Sequence, residues 1–376
     1  MRFLISSGDL LRALNVVNGA VPNKSTIPIL ECVLFERLNG QLRLSATDLE
    51  ISIIQEIDVN FETNGVMNAE RVAVPAKRLI ETLRNLPDLP LTFAATTGYN
   101  IELTTDQGKY KMVGFDGLDY PALPHVANGL TITADGSMLK RTFAKTGFAV
   151  SKDSLRPAMM GVYFKLNPTQ GEAVATDGHR LVRMRTDALK SPEDTTFIVP
   201  EKALSISAKV ANDGPCTIYI SDGYLGFDFG GTHLISRVID ERFPNYEAVI
   251  PKDNSKQVVI NRLALLAAVR RVGLYSSSLT HQIRLSLTQD KLRVSAEDIE
   301  RASEAEENIL CEYSDEAFEI GFNSVYLMET LNNMDTSDVL LNFSTPNRAG
   351  IVTPNEQTEG EDLMMLIMPV MLNSYA

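Results

Sequence analysis

One short pattern occurs three times at nearly even spacing, so the chain must build three similar units. Residues 42–53 (LRLSATDLEISI), 173–184 (AVATDGHRLVRM) and 292–303 (LRVSAEDIERAS) share an Ala-x-Asp core that begins at Ala46, Ala175 and Ala296. The copies lie about 120–130 residues apart, a period that implies a repeated domain-sized unit. The flanks repeat as well. VAVPAKRLIETL (72–83) matches FIVPEKALSISA (197–208) and, more loosely, FEIGFNSVYLMETL (318–331), with Lys77, Lys202 and Ser324 at one position of the unit. A further triplet, residues 6–21, 135–150 and 260–275, reads each time as an apolar-periodic helix behind a capping residue.

Between these helices the chain alternates apolar and polar residues, the mark of half-buried strands. Residues 28–57 turn at Asn39-Gly40, a strong hairpin signal, and residues 160–185 and 282–307 repeat the pattern with turns at 168–171 and near Gln289-Asp290. Each unit therefore reads as helix, strands, second helix, strands, an α+β arrangement with an antiparallel sheet and helices on one face. Pro-, Gly- and Asp-rich joins at 114–129 and 240–254 set domain boundaries, giving units 1–125, 126–252 and 253–376.

The apolar and charged fractions, 44% and 22%, are those of an ordinary globular chain, and no apolar run approaches the roughly 20 residues of a membrane span. The opening MRFLISSGDLL is too short an apolar core for a secretory signal. Cys32, Cys216 and Cys311 fall one to a unit without any CxxC pair, so reduced thiols in the cytoplasm are expected rather than disulfides or zinc. The net charge of −13 argues against a nucleic-acid partner, but its distribution matters more. The six candidate helices carry Arg12; Lys77, Arg78 and Arg84; Lys140, Arg141 and Lys145; Lys202 and Lys209; and Arg262, Arg270 and Arg271. Against these stand Asp9, Glu81 and Glu201, and only the sixth helix, near 323–334, has an acid (Glu329) and no base. Five basic helices in an acidic protein suggest a polyanion on the helical side, although solvated helix surfaces would look the same.

ATDGHRL (175–181), FPNYEAVIP (243–251), TIPIL (26–30) and MPV (368–370) give the chain a resemblance to the bacterial β sliding clamp family, over its whole length and in repeat order. The resemblance implies a fold of three tandem clamp domains, with antiparallel sheets outside and two helices per domain lining a ring closed by a head-to-tail homodimer. It implies a processivity factor without catalytic activity or cofactor. Its partners would be double-stranded DNA, held without sequence preference, the DNA polymerase catalytic subunit, the clamp loader and other proteins with a clamp-binding motif. Lysines and arginines facing phosphates supply such attraction through counterion release. Lys24, Lys77, Arg156 and Lys202 match the family's DNA-contacting positions. At the dimer interface the resemblance sets Tyr110 and Met112 against Leu274 and Tyr275, and the charges support that pairing, since Lys109 and Lys111 flank the first strand while Glu304, Glu306 and Glu307 cluster in the third unit.

The family also implies a groove for a short peptide. Met159, Thr176, Gly178, His179, Arg180, Leu181, Pro244, Val249, Leu366 and Met368 match one apolar subsite, and Asn323, Tyr326, Arg348, Met368, Pro369 and Val370 the second. The tail departs from the family pattern. Met371 stands where a basic residue is common, and Asn373–Ala376 extend past the usual end. The loop at 155–158 lacks the aromatics some members show to DNA.

Two other readings remain open on the residues. One is a repeat scaffold that does not encircle DNA, against which the basic helices count. The other is a hydrolase built on Asp177 and His179, but no nucleophile elbow accompanies them and the four histidines lack metal-ligand spacing. Neither GxxxxGK[ST] nor GxGxxG occurs, so any ATP-driven step belongs to another protein.

Overall fold

The computed structural model describes residues 1–62, 70–126, 129–211, 213–221 and 223–372. Parts of the first join (127–128) and the extension 373–376 lie outside the described residues. The predicted helices all form: α1 (Ser7–Val17), α2 (Ala76–Arg84), α3 (Gly136–Thr146), α4 (Glu201–Val210), α5 (Arg262–Gly273) and α6 (Ser324–Asn332). Three of them begin at a side-chain cap. Ser6, Asn261 and Asn323 accept from the first-turn amides of α1, α5 and α6, meeting donors that a helix start leaves unpaired. None is long and apolar enough to cross a membrane among the described residues.

The chain packs as two compact units, 1–137 with 205–238, and 138–204 with 239–376. The first holds a five-stranded antiparallel sheet, from Asn60–Phe61 to Lys109–Val113, and a nine-stranded one. In the latter, strand Ile51–Ile57 of the first repeat pairs with Thr232–Arg237 of the second, from Thr232↔Gln55 to Ser236↔Ile51. Phe93 stacks on Phe3 at 4.8 Å and on Phe35 at 5.0 Å, tying the two sheets together. The second unit contains an eight-stranded and a four-stranded sheet. Strand Arg180–Thr186 pairs there with Glu361–Ile367 of the third repeat, again joining successive repeats edge to edge. Phe343 packs against Phe318 and Phe322 between the sheets. The sequence drew three units, whereas the packing divides the central repeat between its neighbours.

The turns behave as read. Asn39 (φ 51°) and Gly40 (φ 86°) both adopt the left-handed conformation a two-residue hairpin loop requires. The repeated Thr-Asp proves to be a turn device. Thr47 Oγ1 accepts from the Leu49 amide and donates to the Ile51 carbonyl, while Asp48 accepts from the amides of Glu50 and Ile51. Thr176 and Asp177 make the same contacts with residues 178–180. The third copy differs, since its strand runs on to Asp298 and turns only afterwards. Leu49 and Ile299, which follow Asp48 and Asp298, are exposed at 49% and 63% and add nothing to the core. Leu49 also has φ 78°, where the second copy places Gly178 at φ 89°. A Cβ in that region costs about 1–2 kcal/mol, part of which glycine returns to the unfolded chain as entropy. Leu49→Gly is therefore expected to raise unfolding free energy by about 0.5–1 kcal/mol in urea titration. A loss of stability would show that Leu49 packs usefully.

Candidate functional site

The second unit brings residues predicted for the groove together around the Thr-Asp turn. The turn places His179 on the surface, where its ring stacks on Tyr326 of α6 with centroids 5.8 Å apart. Arg180 points inward beneath them, only 7% exposed. Its Nε donates to Asp177 at 3.1 Å, one terminal nitrogen reaches the Phe148 carbonyl at 2.8 Å, and the other binds Glu329. The Phe148 and Tyr326 rings lie 5.2 and 4.9 Å from the guanidinium carbon, so the cation is caged by three acceptors and two π faces. Burial, then Asp177 and Glu329, push the Tyr326 phenol up, keeping it neutral.

The other walls have equally local causes. Asn323 caps α6 through its Oδ1 and donates from Nδ2 to Thr280, so it fixes where Tyr326 emerges. In FPNYEAVIP, Phe243 and Tyr246 are anchors. Phe243 stacks on Tyr163 at 4.8 Å, and the Tyr246 hydroxyl donates to buried Glu172, which Arg185 also approaches at 2.5 Å. Pro244 is left half-buried and Val249 is 53% exposed. Met159 is half-buried at the end of a short 3₁₀ turn. The tail is pinned where the Met368 amide donates to the His179 carbonyl at 2.8 Å. Met368 is 42% exposed, Pro369 and Val370 are half-buried, and exposed Arg348 pairs with Asp253.

Four predicted residues need correction. Leu181 and Leu366 are each 2% exposed within one core cluster, so they back the groove rather than line it. Thr176 is buried as the turn's hydrogen-bonding hub, and Arg180 supports the aromatic pair from below. Leu181 and Leu366 face each other across paired strands, and the strands that carry all four are buried on both faces here. Glu329 and Phe148 were missed. Only Glu329 left a trace, as the lone acid of the sixth helix one turn beyond Tyr326.

Among the DNA candidates, Lys24, Lys77 and Lys202 are exposed, the last two in the first turns of α2 and α4. Exposed Arg156 lies 3.5 Å from Asp153 and beside Gly178, one of the residues predicted for the groove. The helix base count overstated the charge available to phosphates. Lys145 is buried against Asp335 at 2.6 Å, Arg141 grips Glu361 and Asp335, and Arg262 donates to the Thr336 and Leu331 carbonyls. At the proposed subunit contact, Tyr110 and Met112 lie on edge strand Lys109–Val113. Met112 is 5% exposed and packs inward, which leaves Lys109, Lys111 and Val113 outward. Glu304 lies on edge strand Ser303–Leu310, and Leu274 and Tyr275 are 79% and 44% exposed.

Comparisons place these features among known proteins. Three family profiles match in order: "DNA polymerase III beta subunit, N-terminal domain" over residues 1–124, "central domain" over 133–245 and "C-terminal domain" over 247–371. The "Beta sliding clamp" of Pseudomonas putida is 29% identical over 99% of this chain and 100% of its own. That of Chlamydia muridarum is 27% identical with the same coverage. The crystal structure of the Pseudomonas aeruginosa sliding clamp bound to griselimycin is similar with a TM-score of 0.91, at 28% identity over 99% of this chain and 100% of that one.

Proposed function

The chain belongs to the DNA polymerase III beta subunit family, and on that premise we propose that the His179–Tyr326 surface is its partner-peptide groove. The protein is a sliding clamp, a non-catalytic processivity factor that closes as a homodimeric ring around duplex DNA. It tethers the polymerase and docks the clamp loader and other motif-bearing proteins. Its three repeats serve as clamp domains 1–125, 126–252 and 253–376, and it works in the cytoplasm.

The observation that carries the groove is the stacked pair of exposed His179 and half-buried Tyr326 on a caged arginine, flanked by Pro244, Val249 and the Met368–Val370 tail. Apolar walls, few polar groups and pliable methionine suit a linear peptide with one or two large apolar anchors, shared among several partners. Its test is a titration with a labelled C-terminal peptide of the replicative polymerase. His179→Ala, or removal of residues 368–376, should weaken binding at least tenfold, about 1.4 kcal/mol. Unchanged affinity in both variants would refute the site.

Lys24, Lys77, Arg156 and Lys202 supply phosphate contacts that carry no sequence information. If Lys24, Lys77 and Lys202 each neutralise one phosphate, replacing all three with alanine flattens the slope of log K against log salt by about 2.7. An unaltered slope would remove these lysines from the DNA path.

A further inference from the structure

The groove's tail wall lies on a strand position that only glycine fits. Strand Phe318–Asn323 is an edge of the four-stranded sheet, paired on one side with Gln282–Thr288. On its other side the Val370 amide donates to the Gly321 carbonyl at 2.8 Å. With the Met368 amide on the His179 carbonyl, this makes two backbone ties that flank Pro369, whose φ is fixed by its ring. A Cβ added at Gly321 would come within 2.5 Å of the Val370 carbonyl oxygen and 2.7 Å of Leu372 Cδ2. Gly321 is absent from the residues with positive φ, so its backbone makes no demand for glycine. The demand comes from the tail alone.

We propose that Gly321 is a positioning residue for the peptide groove: its missing side chain seats Val370 and Leu372 flat on the strand and so fixes where Met368 and Pro369 meet a partner peptide. The inference rests on the groove reading above. A methyl group at 321 meets backbone oxygen, which cannot swing aside as a side-chain tip can. The tail must lift, and the wall moves while the strand stays. The seat also covers the strand edge, an open edge being a liability.

Gly321→Ala tests this in the full-length dimer with two readouts. Amide exchange of residues 368–372 should accelerate, because the Val370 bond lengthens or breaks. Affinity for the labelled polymerase peptide should fall about tenfold, the scale of a modest steric misfit, with the thermal midpoint little changed. Leu372→Ala, which leaves the strand untouched, should likewise speed exchange. Wild-type exchange in Gly321→Ala would overturn the seat, and faster exchange with wild-type affinity would overturn its positioning role. If the unaltered chain bound no peptide, the groove reading would fall, while the exchange measurement would still decide the seat.

Discussion

Arg180→Ala is expected to destabilise the protein by about 3 kcal/mol and to abolish peptide binding. The guanidinium holds together three elements: the Asp177 turn, the Phe148 carbonyl and, through Glu329, helix α6. Truncation leaves that carbonyl without its donor, strips the Asp177 carboxylate of its guanidinium partner while the His179 and Arg180 amides still donate to it, and opens a void between the Phe148 and Tyr326 rings. Breaking a fully buried ion pair costs about 3–5 kcal/mol. The lower end applies because the Asp177 and Glu329 side chains are 14% and 44% exposed, and water partly rescues both. Binding suffers more than stability, because Tyr326 loses the cation that fixes it under His179. Arg180→Lys separates charge from shape. One ammonium can satisfy an acid but not three divergent acceptors and two ring faces, so stability should return partly and affinity much less. Urea unfolding and peptide titration of both variants provide the check. If the alanine variant fell within about 0.5 kcal/mol of wild type, the cage would be no more than a surface ion pair.

Which parts of this were legible in the sequence follows from how far each signal reaches. Helices and hairpins announce themselves locally. Asn39-Gly40 demands a left-handed turn, and Ser6, Asn261 and Asn323 cap helices by their own side-chain chemistry. The repeat showed three units but not that their sheets fuse at Thr232↔Gln55 and Arg180↔Ile367, since edge pairing depends on residues far apart in the chain. Thr-Asp was visible as a motif while its role as a turn device was not, because that role lies in side-chain-to-backbone bonds. Leu181 and Leu366 were assigned to the groove by position, yet they face each other across paired strands inside one core cluster, a placement set by partners far apart in the chain. Lysine and arginine counts proved the weakest guide. Lys145 reads like any surface base until Asp335 appears against it. Gly321 gave no signal at all, since its constraint comes from a tail about 50 residues later.

Reversing charge on one strand edge should convert the homodimer to monomer, and reversing the other edge in a second chain should restore pairing only between the two. Lys109 and Lys111 face outward from edge strand Lys109–Val113, and Glu304 and Glu306 from edge strand Ser303–Leu310. Among the described residues each edge has backbone groups on one side without a strand partner. Within the chain the lysines lean on Glu102 at 3.6 and 3.2 Å, exposed contacts worth little, which leaves their charge to act across a subunit boundary. Joining the two edges head to tail places lysines against glutamates at both junctions of a closed dimer. Lys109→Glu with Lys111→Glu sets acid against acid, and Glu304→Lys with Glu306→Lys sets base against base. Either double variant alone should raise the dissociation constant about 100-fold, some 2.7 kcal/mol. Mixed, the two chains restore opposite charges at both junctions, so sedimentation should show a dimer containing one of each. An isologous contact between two lysine edges predicts otherwise: the Glu304→Lys, Glu306→Lys chain alone would dimerise as wild type. Monomers in each separate sample and dimers only in the mixture are therefore diagnostic of head-to-tail closure.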